Sequence, residues 1–126
     1  MEMNPVGWFE IYVEDMDRAK GFYQKVFNTV LENIGDEPKV DIDMWAFPSS
    51  MEQYGAAGAL AKMEGVSPGG NSTLVYFSCE DCAIEQGRVE AAGGKVVHPK
   101  FSIGQHGFIS MVSDTEGNMI GLHSMS

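Results

Sequence analysis

Two six-residue stretches of the chain alternate in the same way. In WFEIYV (8–13), Phe9, Ile11 and Val13 interleave with Trp8, Glu10 and Tyr12, and in LVYFSC (74–79), Val75, Phe77 and Cys79 interleave with Leu74, Tyr76 and Ser78. A period of two puts each set on its own face of a strand. Both runs end at a Glu-Asp pair, Glu14-Asp15 and Glu80-Asp81, and give way to helical spacing. After Asp15, a good helix cap, Met16, Ala19, Phe22, Tyr23, Val26 and Phe27 recur at intervals of three and four, which predicts a helix with an apolar stripe and a stop at Asn28. The second helix, from Asp81 to Ala92, carries a poorer stripe of Cys82, Val89 and Ala92 and a strong stop at Gly93-Gly94.

Sliding the chain by 66 residues lays Glu14-Asp15 on Glu80-Asp81, Gly21 on Gly87 and Val30 on Val96, the mark of a weak internal duplication. Three further strands are expected after each helix. In the first half they are Val30 to Ile34, Val40 to Phe47 and Ala57 to Met63; in the second, Lys95 to Pro99, Phe108 to Ser113 and Asn118 to Ser124, the last two joined by the turn Asp114 to Asn118. The order βαβββ therefore occurs twice. The expectation is an α+β single domain over residues 4–124, with modules at about 5–63 and 72–124 and a linker, EGVSPGGNS, over 64–72. If each helix covers one face of its sheet, the other faces are free to form a cupped half-barrel around a shared cavity.

Composition narrows the partners more than the fold. A chain of 126 residues with 44% apolar content suits one compact unit. Eight basic against eighteen acidic residues leave a net charge of −10, which disfavours nucleic acid and anionic lipid as partners. No apolar run approaches the roughly 20 residues of a membrane span, and MEMNPVGWFEIYVEDMD does not pair a basic region with an apolar one, so a soluble cytoplasmic protein is expected. Cys79 and Cys82, the only cysteines, have CxxC spacing, yet Cys79 shares its strand face with Val75 and Phe77; buried structural thiols are the expected reading.

Three segments, VEDMDRAKGFYQKVF (13–27), RVEAAGGKVVHP (88–99) and DTEGNMIGLHS (114–124), resemble in order and spacing the vicinal oxygen chelate (glyoxalase/bleomycin-resistance/dioxygenase) superfamily. That family includes lactoylglutathione lyase, bleomycin-binding proteins, epimerases and extradiol dioxygenases. The resemblance implies the cupped two-module fold, and in metal-dependent members a divalent ion held from the first and closing strands of each module. The positions that correspond here are Trp8, Leu74, Gly121 and the neighbourhood of Ala57 to Leu60, none of them an imidazole or a carboxylate. No metal and no other cofactor is expected on that basis.

Strand parity then selects candidates for chemistry. Trp8, Glu10 and Tyr12 should share the face away from the helix, as should Tyr76 in the second module and Met119, Gly121 and His123 on the closing strand. Glu10 and His123 are the candidate catalytic pair, able to act as base and acid or to hold a polar ligand group. The plainer alternative makes Glu10 a solvated strand residue and His123 a hydrogen-bonded residue near the end of the chain. Trp8, Tyr12, Trp45, Tyr76, His106 and Met119 are the candidate ligand-binding residues, with His106 in the glycine-flanked loop Ile103 to Gly107; His98 is assigned no function. The segment MWAFPSSMEQYGAAG, rich in Met and aromatic residues, either lines the pocket or packs a homodimer surface. Two functions stay open: a binding protein for a small aromatic or amphipathic molecule, and a lyase or isomerase of a small oxygenated metabolite.

Overall fold

The computed structural model describes residues 4–35 and 41–126, and the chain forms two compact units. In the unit from Trp8 to Thr73, β1 (Val6–Tyr12) leads into α1 (Met16–Phe27), followed by β2 (Glu32–Asn33), β3 (Ile42–Ala46) and β4 (Ala57–Met63), with sheet order β2-β3-β4-β1. Strand β1 runs parallel to β4, from Trp8 opposite Ala57 to Tyr12 opposite Ala61, and β3 runs antiparallel to β4, with Trp45 opposite Leu60. The Asp15 carboxylate accepts a 3.0 Å bond from the Arg18 amide and so caps α1. At the other end Asn28 takes the left-handed conformation, φ 50°, that ends helices. Leu31 then turns into the core, held by a 3.0 Å bond from its amide to the Gln24 side chain.

Val13, Met16, Leu31 and Leu60 form that core, with Ile11, Ala19, Tyr23, Trp45 and Phe47 packed against them, so α1 lies over the Ile11 face of the sheet. Phe9 belongs to the same side: its ring lies across Gly58, where any Cβ would strike it, and faces Phe47. The six-residue stripe is broader than the surface it covers. Met16, Ala19 and Tyr23 reach the core, whereas Phe22, Val26 and Phe27 stay exposed, Phe22 at 60%. Helical spacing identifies an apolar side but not how far the underlying sheet extends beneath it. Strand β2 is also shorter than the expected Val30 to Ile34, a two-residue edge supplemented by one bond from the Ile34 amide to Met44. Of the strand expected over Val40 to Phe47, the described part is β3, and Val40 lies outside the described residues.

The second unit comprises Leu74–Ser126 and the start of the chain through Gly7. Strand β5 (Thr73–Ser78) precedes α2 (Cys82–Val89), β6 (Lys95–Ser102), β7 (Phe108–Ser113) and β8 (Met119–Ser124), in the order β5-β8-β7-β6, and Pro5 accepts a 2.9 Å bond from the Ser78 amide. Asp81 caps α2 through the Ala83 amide, while the Cys82 amide donates 3.0 Å to Ser124 Oγ and ties the first turn of α2 to β8. Hydrogen bonding from Lys100, 2.8 Å away, holds the Asp81 carboxyl below its ordinary range. The helix ends at Val89, before the expected Ala92, because the chain already turns there, with Gly94 bonding back to Val89 and Gly93 at φ 98°. Strand β6 runs on past the expected end at Pro99. It is an edge strand with register shifts on both sides of His98, a place where a missing proline N–H costs little.

Cys82, Val112 and Leu122 make the second core, with Phe77, Cys79, Val89, Val96, Phe108 and Ile120 around them. Both cysteines are free. Burial and the neighbouring Glu85 push the Cys79 thiol up to about 11, so it is protonated near neutrality and unsuited to thiolate chemistry. The turn between β7 and β8 forms as expected, the Asp114 carboxylate accepting from the Glu116 and Asn118 amides and from Asn118 Nδ2. Each unit thus has the βαβββ order with its helix over one face of a mixed sheet, which is the α+β class. No helix among the described residues is long and apolar enough to cross a membrane.

The two halves of the α1 stripe should respond differently to truncation. Leu60→Ala is expected to lower stability by about 2–5 kcal/mol, and Phe22→Ala to change that of the single chain by no more than about 0.5 kcal/mol, both measured by urea denaturation of protein dilute enough that association does not contribute. Equal losses would contradict the packing described.

Candidate functional site

Strand β1 decides what stands on the face away from α1. Its register puts Trp8, Glu10 and Tyr12 in line with Ala57, Ala59 and Ala61 of β4, and β3 adds Ala46 and Met44 opposite Ala59 and Ala61. Small side chains on the neighbouring strand leave room for three large ones on β1. Into that room Glu10 is buried, 7% exposed. Its carboxylate is held from both sides by the next residues on the same face: Trp8 Nε1 donates 3.0 Å to Oε2 and Tyr12 Oη donates 2.8 Å to Oε1. A buried carboxylate is costly unless donors meet its oxygens, and residues two apart on a strand are well placed to supply them. Burial, and then the adjacent Glu10 carboxylate, raise the Tyr12 phenol above its ordinary value, so Tyr12 stays protonated and remains a donor.

The expected wall residue Trp45 is not part of this group. It lies on the α1 side, opposite Leu60, with its Nε1 donating 3.0 Å to Asp43 and Lys20 Nζ 3.3 Å from its ring centre. Parity could have separated it from Trp8, because β3 pairs Trp45 with the core residue Leu60 while Ala46 and Met44 take the other face. The alanine positions 57, 59 and 61 were also legible as a period of two, and sequence reasoning passed over them.

In the second unit, Tyr76 stands opposite Gly121 and Ser78 opposite His123, on the face away from α2. Tyr76 is buried, and its ring lies against Gly121 so closely that any Cβ there would strike it. Met119 is half-buried beside Ser113 on β7. His123 Nε2 donates 2.6 Å to the backbone carbonyl of His106, in the one-turn 3-10 helix Gly104–His106, which fixes the hydrogen of the neutral ring on Nε2. The His106 side chain itself is exposed. His98 is exposed as well, its ring 4.2 Å from that of Phe101. A separate groove at the start of α1, lined by Glu14, Asp15, Asp17, Arg18, Asp43 and Lys62, includes none of the candidate residues.

The positions where the family resemblance puts metal ligands do not fit an ion. Trp8 offers a donor, already given to Glu10; Leu74 is buried and apolar; Gly121 has no side chain, and the Tyr76 ring occupies the space one would need. Among the described residues no three or more His, Cys, Asp or Glu side chains gather as a metal site would require.

The sequence profile of the Glyoxalase/Bleomycin resistance protein/Dioxygenase superfamily matches residues 6–122. The "Putative glyoxylase CFP32" of Mycobacterium bovis is 26% identical over 117 residues, as is its Mycobacterium tuberculosis counterpart; the match takes in 91% of this chain and 43% of those proteins, so the chain spans less than half their length. Among solved structures, the Streptomyces coelicolor methylmalonyl-CoA epimerase in complex with 2-nitronate-propionyl-CoA aligns with a TM-score of 0.68 at 14% identity, covering 99% of each chain. The methylmalonyl-CoA epimerase of Mycobacterium tuberculosis aligns with the same score and identity over 97% of this chain and 88% of that one. At such identities the likeness concerns the fold.

The pairing of Tyr76 with Gly121 can be tested directly. Gly121→Ala is expected to cost about 1–3 kcal/mol of stability through overpacking, and adding Tyr76→Leu to restore part of it. Full stability in the single variant, followed by urea denaturation, would mean that the ring does not occupy that space.

Proposed function

The chain belongs to the Glyoxalase/Bleomycin resistance protein/Dioxygenase superfamily, and on that premise we propose that it binds a small molecule on the β1 face formed by Trp8, Glu10 and Tyr12, without the metal centre of its metal-dependent relatives. The observation that carries this reading is the buried Glu10 carboxylate, fixed by Trp8 Nε1 and Tyr12 Oη. An acceptor held in place before a ligand arrives loses little freedom on binding and rewards a ligand that brings a matching donor. The aromatic rings on either side supply apolar contact for the rest of such a molecule.

The second reading, a lyase or isomerase of a small oxygenated metabolite, is favoured by the names of the relatives: glyoxylase for the curated proteins and methylmalonyl-CoA epimerase for the solved structures. In that reading Glu10 takes a proton from the ligand; His123, the other candidate catalytic residue, has Nε2 occupied by the His106 carbonyl and keeps Nδ1 for a polar group on the face of its own unit. Binding takes precedence because two donors already engage the two oxygens of Glu10, an arrangement suited to an anchor. Tyr76 and Met119 belong to the proposed ligand surface of the second unit, and His106 contributes its carbonyl rather than its imidazole. Trp45 is omitted from the proposal.

Calorimetric titration tests this with three probes: methylmalonyl-CoA, the hemithioacetal of glutathione and methylglyoxal, and bleomycin. At least one should bind, with affinity unchanged by EDTA and weakened about ten- to a hundred-fold by Glu10→Gln, the loss of one charge-assisted hydrogen bond. Binding that disappears with EDTA, or that ignores the substitution, would overturn the assignment. Turnover of the bound probe would decide for the enzyme reading.

A homodimer is the proposed assembly, supported by the exposed Phe22, Val26, Phe27 and Val30 at the end of α1. Sedimentation at micromolar concentration should give about twice the chain mass, falling toward one chain in Phe22→Ser/Val26→Ser. A wild-type monomer throughout would contradict it.

A further inference from the structure

In the second unit the sheet has a face that α2 does not cover, and the strand register gives its contents. Ile109, Met111 and Ser113 of β7 stand opposite His123, Gly121 and Met119 of β8 on one side and opposite Phe101, His98 and Lys95 of β6 on the other. Val112, Ile120 and Leu122 take the α2 side, so these residues share the face away from it. Toward β5 that face is closed, with Tyr76 buried over Gly121. Toward the edge strand it opens. Ile109, Met111, Phe101 and His123 are half-buried, and the His98 ring, 4.2 Å from that of Phe101, is exposed.

Two properties of the open part specify what it can hold. The first is polarity. The six carboxylates of residues 74–126 all lie elsewhere, Glu80, Asp81, Glu85 and Glu90 in or beside α2 and Asp114 and Glu116 in the turn between β7 and β8. Within this acid-free surface His123 gives its Nε2 hydrogen to the His106 carbonyl at 2.6 Å, so the neutral ring presents Nδ1 as an acceptor. An acceptor among apolar side chains rewards an uncharged molecule that brings an O–H or N–H. The second property is length. Strands β8 and β6 are two strand spacings apart, roughly 10 Å, with Ile109 and Met111 standing between them, and a two-ring aromatic reaches across such a span. We propose that this surface binds an uncharged two-ring aromatic bearing a hydroxyl or N–H, with the donor on His123 Nδ1, the rings across Ile109 and Met111, and the far end against Phe101. The inference rests on the small-molecule reading of the chain and names the ligand class of its second unit. The methionine adapts to the shape of the rings, and His98 backs the Phe101 ring from the edge.

Fluorescence anisotropy titrations test this with 2-naphthol and with 2-methoxynaphthalene, which keeps the rings but has no hydrogen to donate. The naphthol should bind about three- to tenfold more tightly, the worth of one neutral hydrogen bond. His123→Phe should remove that preference, and Phe101→Ser, on the edge strand, should weaken both probes alike. Glu10→Gln should leave both affinities as they are, which keeps this outcome separate from that of the calorimetric titrations. Equal binding of the two probes by the native chain, binding of neither, or affinities unchanged in Phe101→Ser would overturn the assignment, and these comparisons decide even if His123→Phe does not fold. A preference kept in His123→Phe and lost in Glu10→Gln would put the ligand's donor on the first unit, and would overturn it too.

Discussion

A carboxylate placed in the middle of a strand and then buried imposes conditions on everything around it. Glu10 needs donors within reach, and parity supplies them from positions two residues to either side, Trp8 and Tyr12. It needs space, which β4 provides by carrying Ala57, Ala59 and Ala61 on that face while Leu60 fills the opposite one. A shift of one residue between β1 and β4 would bring Leu60 to the Glu10 side and take the apolar core apart, so the register that builds the core also builds the Trp8, Glu10 and Tyr12 face.

That coupling explains why much of the first unit could be read from the chain. The alternation in WFEIYV, the Asp15 cap and the Asn28 stop are local signals, and each appears in the structure close to where it was expected. Glu10 and Tyr12 could be assigned to one face from the same alternation. What local pattern does not contain is extent. Phe22, Val26 and Phe27 look like core residues because a helix has no record of how far its sheet reaches, and β6 outruns Pro99 because an edge strand tolerates a missing donor. Trp45 was grouped with the pocket through its aromatic neighbours in sequence, although pairing with Leu60 puts it on the α1 side.

The contact between Tyr76 and Gly121 was the least accessible. The residues are 45 positions apart, and neither one alone signals the other. In the sequence the glycine is only a position without a side chain; with the ring of Tyr76 against it, it becomes a packing requirement. At that position the residue is set by aromatic packing, because the Tyr76 ring fills the space that a side chain would take.

The two tryptophans provide an internal comparison. Each gives its indole N–H to a carboxylate two residues away at 3.0 Å, Trp8 to Glu10 on the proposed ligand face and Trp45 to Asp43 on the α1 side. Their indole resonances in a nitrogen-15 spectrum, assigned with Trp45→Phe, therefore report on opposite faces of one sheet. On addition of a probe that binds, the Trp8 indole signal should shift while that of Trp45 stays in place. Movement of the Trp45 signal with Trp8 unchanged would put the ligand on the other side of the sheet and contradict the assignment of Glu10.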